Sequence, residues 1–265
     1  MSNFYKRGIS GFVYVLLFTV SILYSDQSYL FLTYFFGLAC LWEFMRLIRL
    51  RNYVPYLLFS GVTYLLLFER DIIQGEIIAL IIGLSGSLQL LALLFKKTST
   101  YPRTIFNKFD ISIRYLVFSL FFLMYLPFYD GVYHSYLVLC LLIMIWTNDS
   151  FAYLIGKNFG KHKLFPSVSP KKTIEGFIGG VVFTLIASFI IYKNVGELTL
   201  INWLVIGLIA SVLGTLGDLV ESRFKRQAKA KDSGHIMPGH GGLLDRLDSL
   251  LFVAPFVYLY IHYLI

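Results

Sequence analysis

Charge is scarce in this chain, and that scarcity excludes more than any motif does. Only 14% of the 265 residues are Asp, Glu, Lys or Arg, while 57% are hydrophobic and the mean hydropathy is +0.72. Soluble domains carry about a quarter charged residues and about 45–50% apolar ones. An aqueous fold has no core large enough to hide the excess, so the bilayer is the expected solvent. Cysteine is nearly missing as well. Cys40 and Cys140 both sit in apolar runs, where a thiol packs as a small hydrophobe, and two such residues make no disulfide framework. No soluble domain is apparent that could present a groove to nucleic acid. Acid is scarcer than base, 15 residues against 23, for a net charge of +8.

What is abundant is apolar sequence in lengths that suit a membrane. A spanning helix needs about 20 mainly apolar residues. Runs near 8–24, 28–48, 53–69, 72–95, 111–128, 132–148, 173–192, 201–217 and 247–265 qualify, which predicts an all-α integral membrane protein with about nine transmembrane helices. Lys6-Arg7 before the first run imitates a signal peptide, but no small-residue cleavage site follows, so the run reads as a retained helix. The aromatic share of 18% fits, since Tyr and Trp favour membrane interfaces.

Basic residues test this count. If the N-terminus and every second loop share one side, that side holds Lys6, Arg7, Arg46, Arg49, Arg51, Lys96, Lys97, Arg103, Lys108 and Arg114. It also holds Lys157, Lys161, Lys163, Lys171, Lys172, Arg223, Lys225, Arg226, Lys229, Lys231 and Arg246. Only Arg70 and Lys193 fall on the other side. By the positive-inside rule the N-terminus is cytoplasmic and the C-terminus faces outward. The expected setting is the inner, cytoplasmic membrane, with a basic face that attracts anionic headgroups and polyphosphates. Residues 1–110 read as N-terminal transmembrane helices and 111–265 as a C-terminal catalytic region with two cytoplasmic polar segments, 149–172 and 218–246.

Each polar segment begins with an acid at the end of an apolar run, Asp149 and Asp218. An ionisable residue at membrane depth is costly and is a functional hypothesis by default. Asp218, Glu221 and Ser222 share one helical face by their i, i+3, i+4 spacing, and Asp245 and Asp248 repeat the i, i+3 spacing. Asp149, Asp218, Asp245 and Asp248 therefore gather at the cytoplasmic ends of three helices. Hard oxygen donors of this kind suit Mg²⁺ together with phosphate. Lys225, Arg226, Lys229 and Lys231 lie between the acids, followed by a turn, Pro238 to Gly242, whose Gly239, Gly241 and Gly242 permit unusual backbone angles. A helix N-terminus after such a turn favours phosphate oxygens. In the earlier segment Lys171 and Lys172 read either as polyphosphate clamps or as surface anchors. The stretch from Gly156 to His162 imitates a P-loop, but three residues rather than four separate its glycines and His162 follows Lys161, so the pattern fails.

The run Ser222-x-Phe224-Lys225-Arg226, then Lys231-Asp232-Ser233-Gly234, then Pro238-x-His240-Gly241-Gly242-x-x-Asp245-Arg246-x-Asp248 resembles the signature of the CDP-diacylglycerol synthases, or phosphatidate cytidylyltransferases. The segment from Asn148 to Gly180 resembles that family's second marked region. Met237 stands where a branched aliphatic is usual, and the N-terminal spans agree in character only. The resemblance implies a reaction of CTP with phosphatidic acid to give CDP-diacylglycerol and pyrophosphate, with Mg²⁺, in phospholipid biosynthesis, and it implies a homodimer. On that reading Asp218 and Asp245 hold Mg²⁺, while Asp149 and Asp248 assist or bind a second cation. Lys171, Lys172, Lys225, Arg226 and Arg246 neutralise phosphates, with Ser222 and Lys231 beside them, and His240, Gly241 and Gly242 shape the turn. Arg246 serves equally as an ion-pair partner that orients Asp245. The alternatives are a CTP-dependent polyprenol or phytol kinase and, from another class, a transporter.

Overall fold

The computed structural model describes residues 3–68, 76–96, 102 and 104–265. Arg70, Lys97 and Arg103, with the stretches that carry them, lie outside the described residues. Helices dominate: α1 (Asn3–Tyr24), α2 (Asp26–Leu47), α3 (Val54–Phe68), α4 (Glu76–Phe95), α5 (Ile105–Ile111), α6 (Phe118–Tyr125), α7 (Ser135–Phe159), α8 (Ile174–Val195), α9 (Leu200–Gln227) and α10 (Leu244–Tyr263). A π-helical turn, Ser112–Val117, joins α5 to α6. Among the described residues five helices are long and apolar enough to cross a membrane: α2, α4, α7, α8 and α9.

Local chemistry sets several of the helix ends. Ser25 and Ser28 form a reciprocal capping box at the start of α2, with Oγ–N distances of 3.0 and 3.1 Å. Thr173 and Thr199 cap α8 and α9 by accepting from the N–H groups of Gly176 and Asn202, as short hydroxyl side chains do at N-caps. Gly196, at φ 69°, ends α8 in the left-handed region, the usual glycine stop.

Helices α7 to α10 pack through small residues, the device by which helices in lipid bring their backbones together. A side chain at Gly179 would collide with Ile155 of α7, one at Gly207 with Ser188 of α8, and one at Gly217 with Phe252 of α10. The last of these contacts seats α9 against α10. The buried core runs through both halves of the chain; Tyr29, for example, donates to the carbonyl of Leu123 at 2.5 Å.

Two departures from the sequence-based expectation matter for the site. The apolar runs at 132–148 and 201–217 end where predicted, but the helices do not. Helix α7 continues to Phe159 and α9 to Gln227, so both leading acids lie inside helices. In α9 the reason is that Glu221, Ser222 and Lys225 are buried against protein and have no need of lipid; the last turns of α7 are largely exposed. Beyond α7 the chain forms an antiparallel hairpin, β3 (Lys163–Phe165) with β4 (Ser169–Thr173), in addition to a shorter one of β1 (Phe128–Tyr129) with β2 (Val132–Tyr133). Glu175 anchors the β3–β4 hairpin by accepting from the N–H of Lys161 at 3.0 Å and pairing with His162 Nδ1 at 2.6 Å.

Candidate active site

Helix α9 presents Asp218, Glu221, Ser222 and Lys225 along one face, and the first turns of α10 bring Asp245 and Asp248 opposite them. One carboxylate oxygen each from Asp218, Glu221 and Asp248 lies within 4.8 Å of the others. Glu221 and Asp248 are buried, at 1% and 7% exposure. Glu221 Oε1 has no hydrogen-bond partner among the described residues, although an unsatisfied buried carboxylate oxygen is costly. Among the described residues Asp248 accepts from its neighbour's backbone alone, Ser249 N–H at 2.6 Å. Three hard oxygen donors converging on one point, one of them orphaned, fit the coordination preferences of Mg²⁺.

Lys225 separates this cluster from Asp245. Its buried ammonium pairs with Glu221 on one side and with Asp245 Oδ1, at 2.6 Å, on the other. Asp245 Oδ2 accepts from the backbone N–H groups of Ser233 (3.0 Å) and Gly242 (2.8 Å). Asp245 thereby fastens both ends of the loop that joins α9 to α10. The loop needs its glycines: Gly239 and Gly241 have φ of 79° and 101°, and a side chain at Gly242 would run into Ser233 Oγ and Glu43.

Asp218 also faces a second space. A cavity of about 490 Å³ is lined by Asp149, Lys163, Lys171, Lys172, Thr215 and Asp218, among others. Lys172 Nζ pairs with Asp218 Oδ2 at 2.5 Å, and Ser222 Oγ donates to Asp218 Oδ1 at 3.1 Å. Burial disfavours the Lys172 charge, but the Asp218 carboxylate outweighs it and holds the ammonium above the usual lysine range, so Lys172 is cationic at any working pH. The cavity thus has a basic wall from the hairpin and an acidic wall from α7 and α9, and it shares Asp218 with the three-acid cluster.

The remaining predicted residues are distributed as follows. Arg226 is exposed and donates to the carbonyls of Val168 (3.4 Å) and Ala230 (3.3 Å), which ties α9 to the hairpin. Arg246 is exposed and donates to the His240 carbonyl at 3.2 Å; no ion pair joins it to Asp245. His240 Nδ1 shares a 2.7 Å hydrogen bond with Ser10 Oγ of α1. Lys231 is exposed in the loop.

Two carboxylates went unassigned from the sequence. Glu221 was visible in the i, i+3, i+4 spacing without being given a role. Glu43 of α2 is fully buried, and its Oε2 accepts from Ser233 Oγ (3.1 Å) and from the Leu244 N–H (2.8 Å). It anchors the same loop that Asp245 holds, from the N-terminal half of the chain. A lone acid in the apolar run around Trp42 and Phe44 was the available signal.

The family model described as "Cytidylyltransferase family" matches residues 5–264. A phosphatidate cytidylyltransferase of Bacillus subtilis (strain 168) is 35% identical, with 97% of each chain covered. One of Staphylococcus haemolyticus (strain JCSC1435) is 32% identical over 94% of this chain and 95% of its own. One of Staphylococcus aureus (strain COL) reaches 52% over 120 residues, 44% of this chain and 46% of its own.

Proposed function

This chain belongs to the cytidylyltransferase family, and from that premise we infer that it transfers the cytidylyl group of CTP to phosphatidate, giving CDP-diacylglycerol and pyrophosphate. A single observation carries the substrate assignment: the relatives similar along their whole length bear the name phosphatidate cytidylyltransferase. A phosphate oxygen of phosphatidate attacks the α-phosphorus of CTP. The bond from that phosphorus to the bridging oxygen breaks, and pyrophosphate leaves with the electron pair.

The nucleophile is already anionic at neutral pH, so no Ser–His activation is required. What the protein supplies is position and charge neutralisation, which dominate phosphoryl-type transfers. Asp218, Glu221 and Asp248 would hold Mg²⁺, which when bound neutralises charge on the CTP phosphates. Lys171 and Lys172 in the cavity face the polyphosphate. Asp149, across the cavity, is left for a second cation. Lys225 balances Glu221 and Asp245, while Asp245 and Glu43 keep the loop from Ser233 to Gly242 in register beside the acids. Arg226, Lys231 and Arg246, exposed around that loop, meet the lipid phosphate.

We assign the enzyme nine membrane crossings, one each for α1, α2, α3, α4, α7, α8, α9 and α10 and one for α5 and α6 taken together. The site faces the cytoplasm and the C-terminus lies outside. The distribution of Lys and Arg supports this orientation, and the bacterial relatives support the inner membrane. A homodimer is assigned on the family resemblance. The deciding experiment uses CTP labelled at its α-phosphate, phosphatidic acid and Mg²⁺ in detergent micelles. Label entering lipid only when all three are present is the expected result, with EDTA abolishing it. Lipid labelled only from the γ-phosphate would establish a kinase instead, and no turnover with either label would favour a transporter.

A further inference from the structure

A second concave surface shares no residue with the site. It is a groove of about 1040 Å³, at the upper end of the roughly 300–1,000 Å³ range of ligand sites, where the end of α2 and its link to α3 meet α5. Arg46, Arg49, Arg51 and Lys108 line it, and no Asp or Glu does. Among the described residues none of these four cations pairs with a carboxylate. Like charges gathered in one concavity repel each other, and an anion seated there would relieve the repulsion.

Two details separate this cluster from basic residues scattered on a membrane face. Lys108 Nζ donates to the Arg49 carbonyl at 3.1 Å, which ties α5 to the α2–α3 link and spends one of the three ammonium donors. Arg49 itself, at φ 54°, takes the left-handed position that closes α2, where the Leu50 N–H reaches back to the Met45 carbonyl at 2.8 Å. Glycine is usual at such a position. An arginine there keeps a charge in the groove at a cost in backbone strain.

We propose that this groove binds the phosphate headgroup of an anionic membrane phospholipid, at an accessory site separate from the acids. Its apolar residues favour a lipid over a free phosphate. Trp42, Tyr53, Ile105 and Phe106 line it and are all exposed, large side chains that a hydrated inorganic anion would leave uncovered. Along α2, Trp42 lies one turn before Arg46, whose guanidinium sits 5.4 Å from the centre of its ring. Apolar and basic groups thus follow in the order in which a bilayer presents acyl chain and phosphate. The charges favour an anionic lipid over a zwitterionic one, because the amine of a choline or ethanolamine headgroup would find cations and no carboxylate. Basic pockets beside transmembrane helices on the cytoplasmic side take such anionic headgroups, and the distribution of Lys and Arg assigns the groove to that side.

The test places the full chain in nanodiscs and reads quenching of its tryptophan fluorescence by acyl-brominated phosphatidylglycerol or phosphatidylcholine. Trp42 is exposed, whereas Trp203 is fully buried. Half-maximal quenching is expected at a mole fraction of phosphatidylglycerol about tenfold or more below that of phosphatidylcholine, since each basic side chain near an anionic headgroup contributes about fivefold. Replacing Arg46, Arg49 and Arg51 together by Gln should abolish the preference; all three are exposed, and an unchanged thermal melt checks the fold. Replacing Lys157, Lys161 and Lys229 by Gln, three exposed lysines outside the groove, should leave the preference in place. Trp42→Phe should remove the component selective for phosphatidylglycerol. Equal quenching of wild type by the two lipids, a preference lost to the same degree in both triple variants, or one that survives Trp42→Phe refutes the site. Inorganic phosphate and pyrophosphate should displace the lipid no better than chloride at matched ionic strength. Stronger displacement by either would show that the groove takes a soluble phosphate and overturn the lipid assignment.

Discussion

Replacing Lys225 with methionine removes one charge from the middle of the site and leaves two carboxylates exposed to each other. Lys225 is 8% exposed, and its ammonium pairs with both Glu221 and Asp245. Methionine fills a similar volume, so the packing loss is small, below about 1.5 kcal/mol. The larger cost is electrostatic: stranding a buried charge by deleting its partner costs about 3–5 kcal/mol. For a chain of this size each kcal/mol moves Tm by about 2–4 °C, so the Lys225→Met protein should melt on the order of 6–20 °C below wild type in detergent with EDTA. Because Glu221 also belongs to the three-acid cluster, a divalent cation can replace part of the missing charge. Magnesium should therefore raise Tm more in the variant than in wild type. Paired thermal melts with EDTA and with Mg²⁺ check both statements. A variant within about 2 °C of wild type in EDTA, or an equal Mg²⁺ response in the two proteins, would refute the picture of Lys225 as the counter-charge of a cation site.

Three other outcomes are expected. Asp245→Asn retains an oxygen for the Ser233 and Gly242 N–H groups but loses the charge that faces Lys225, so kcat should fall by about 10²-fold or more while the melting profile stays cooperative; a nearly normal rate would remove Asp245 from the catalytic machinery. Glu221→Gln should raise the Mg²⁺ concentration for half-maximal turnover by at least about tenfold, since even residues that only support a ligand commonly cost that much; an unchanged Mg²⁺ titration would move the ion elsewhere. Glu43→Leu leaves Ser233 Oγ and the Leu244 N–H buried and unpaired, at about 1–3 kcal/mol of stability, and should lower kcat by loosening the loop, whereas Glu43→Gln, which keeps an acceptor, should recover most of both; equal loss in the two variants would mean the charge, not the tether, matters.

How far the sequence could be read depended on what kind of force set each feature. Membrane character and the positions of the apolar runs were legible because burial in lipid is a property of each segment alone. The ends of α7 and α9 were not, since both helices continue past their apolar runs, α9 into protein surroundings and α7 into an exposed polar turn, and a hydropathy criterion registers only where the apolar run stops. The polar stretch from Lys225 to Asp248 declared itself by contrast with everything around it. Its internal pairing did not: whether Lys225 meets Asp218, Asp245 or Asp248 depends on the register of α9 against α10, which the contact of Gly217 with Phe252 sets. Glu43 shows the same limit from the other end of the chain. It reads locally as an isolated polar group in an apolar helix, and only the fold brings it to the N-terminus of α10. That loop is consequently held from three directions, by α2, by α10 and by α1 through Ser10. A segment so constrained, although it carries two glycines with positive φ, holds one geometry beside the acidic cluster.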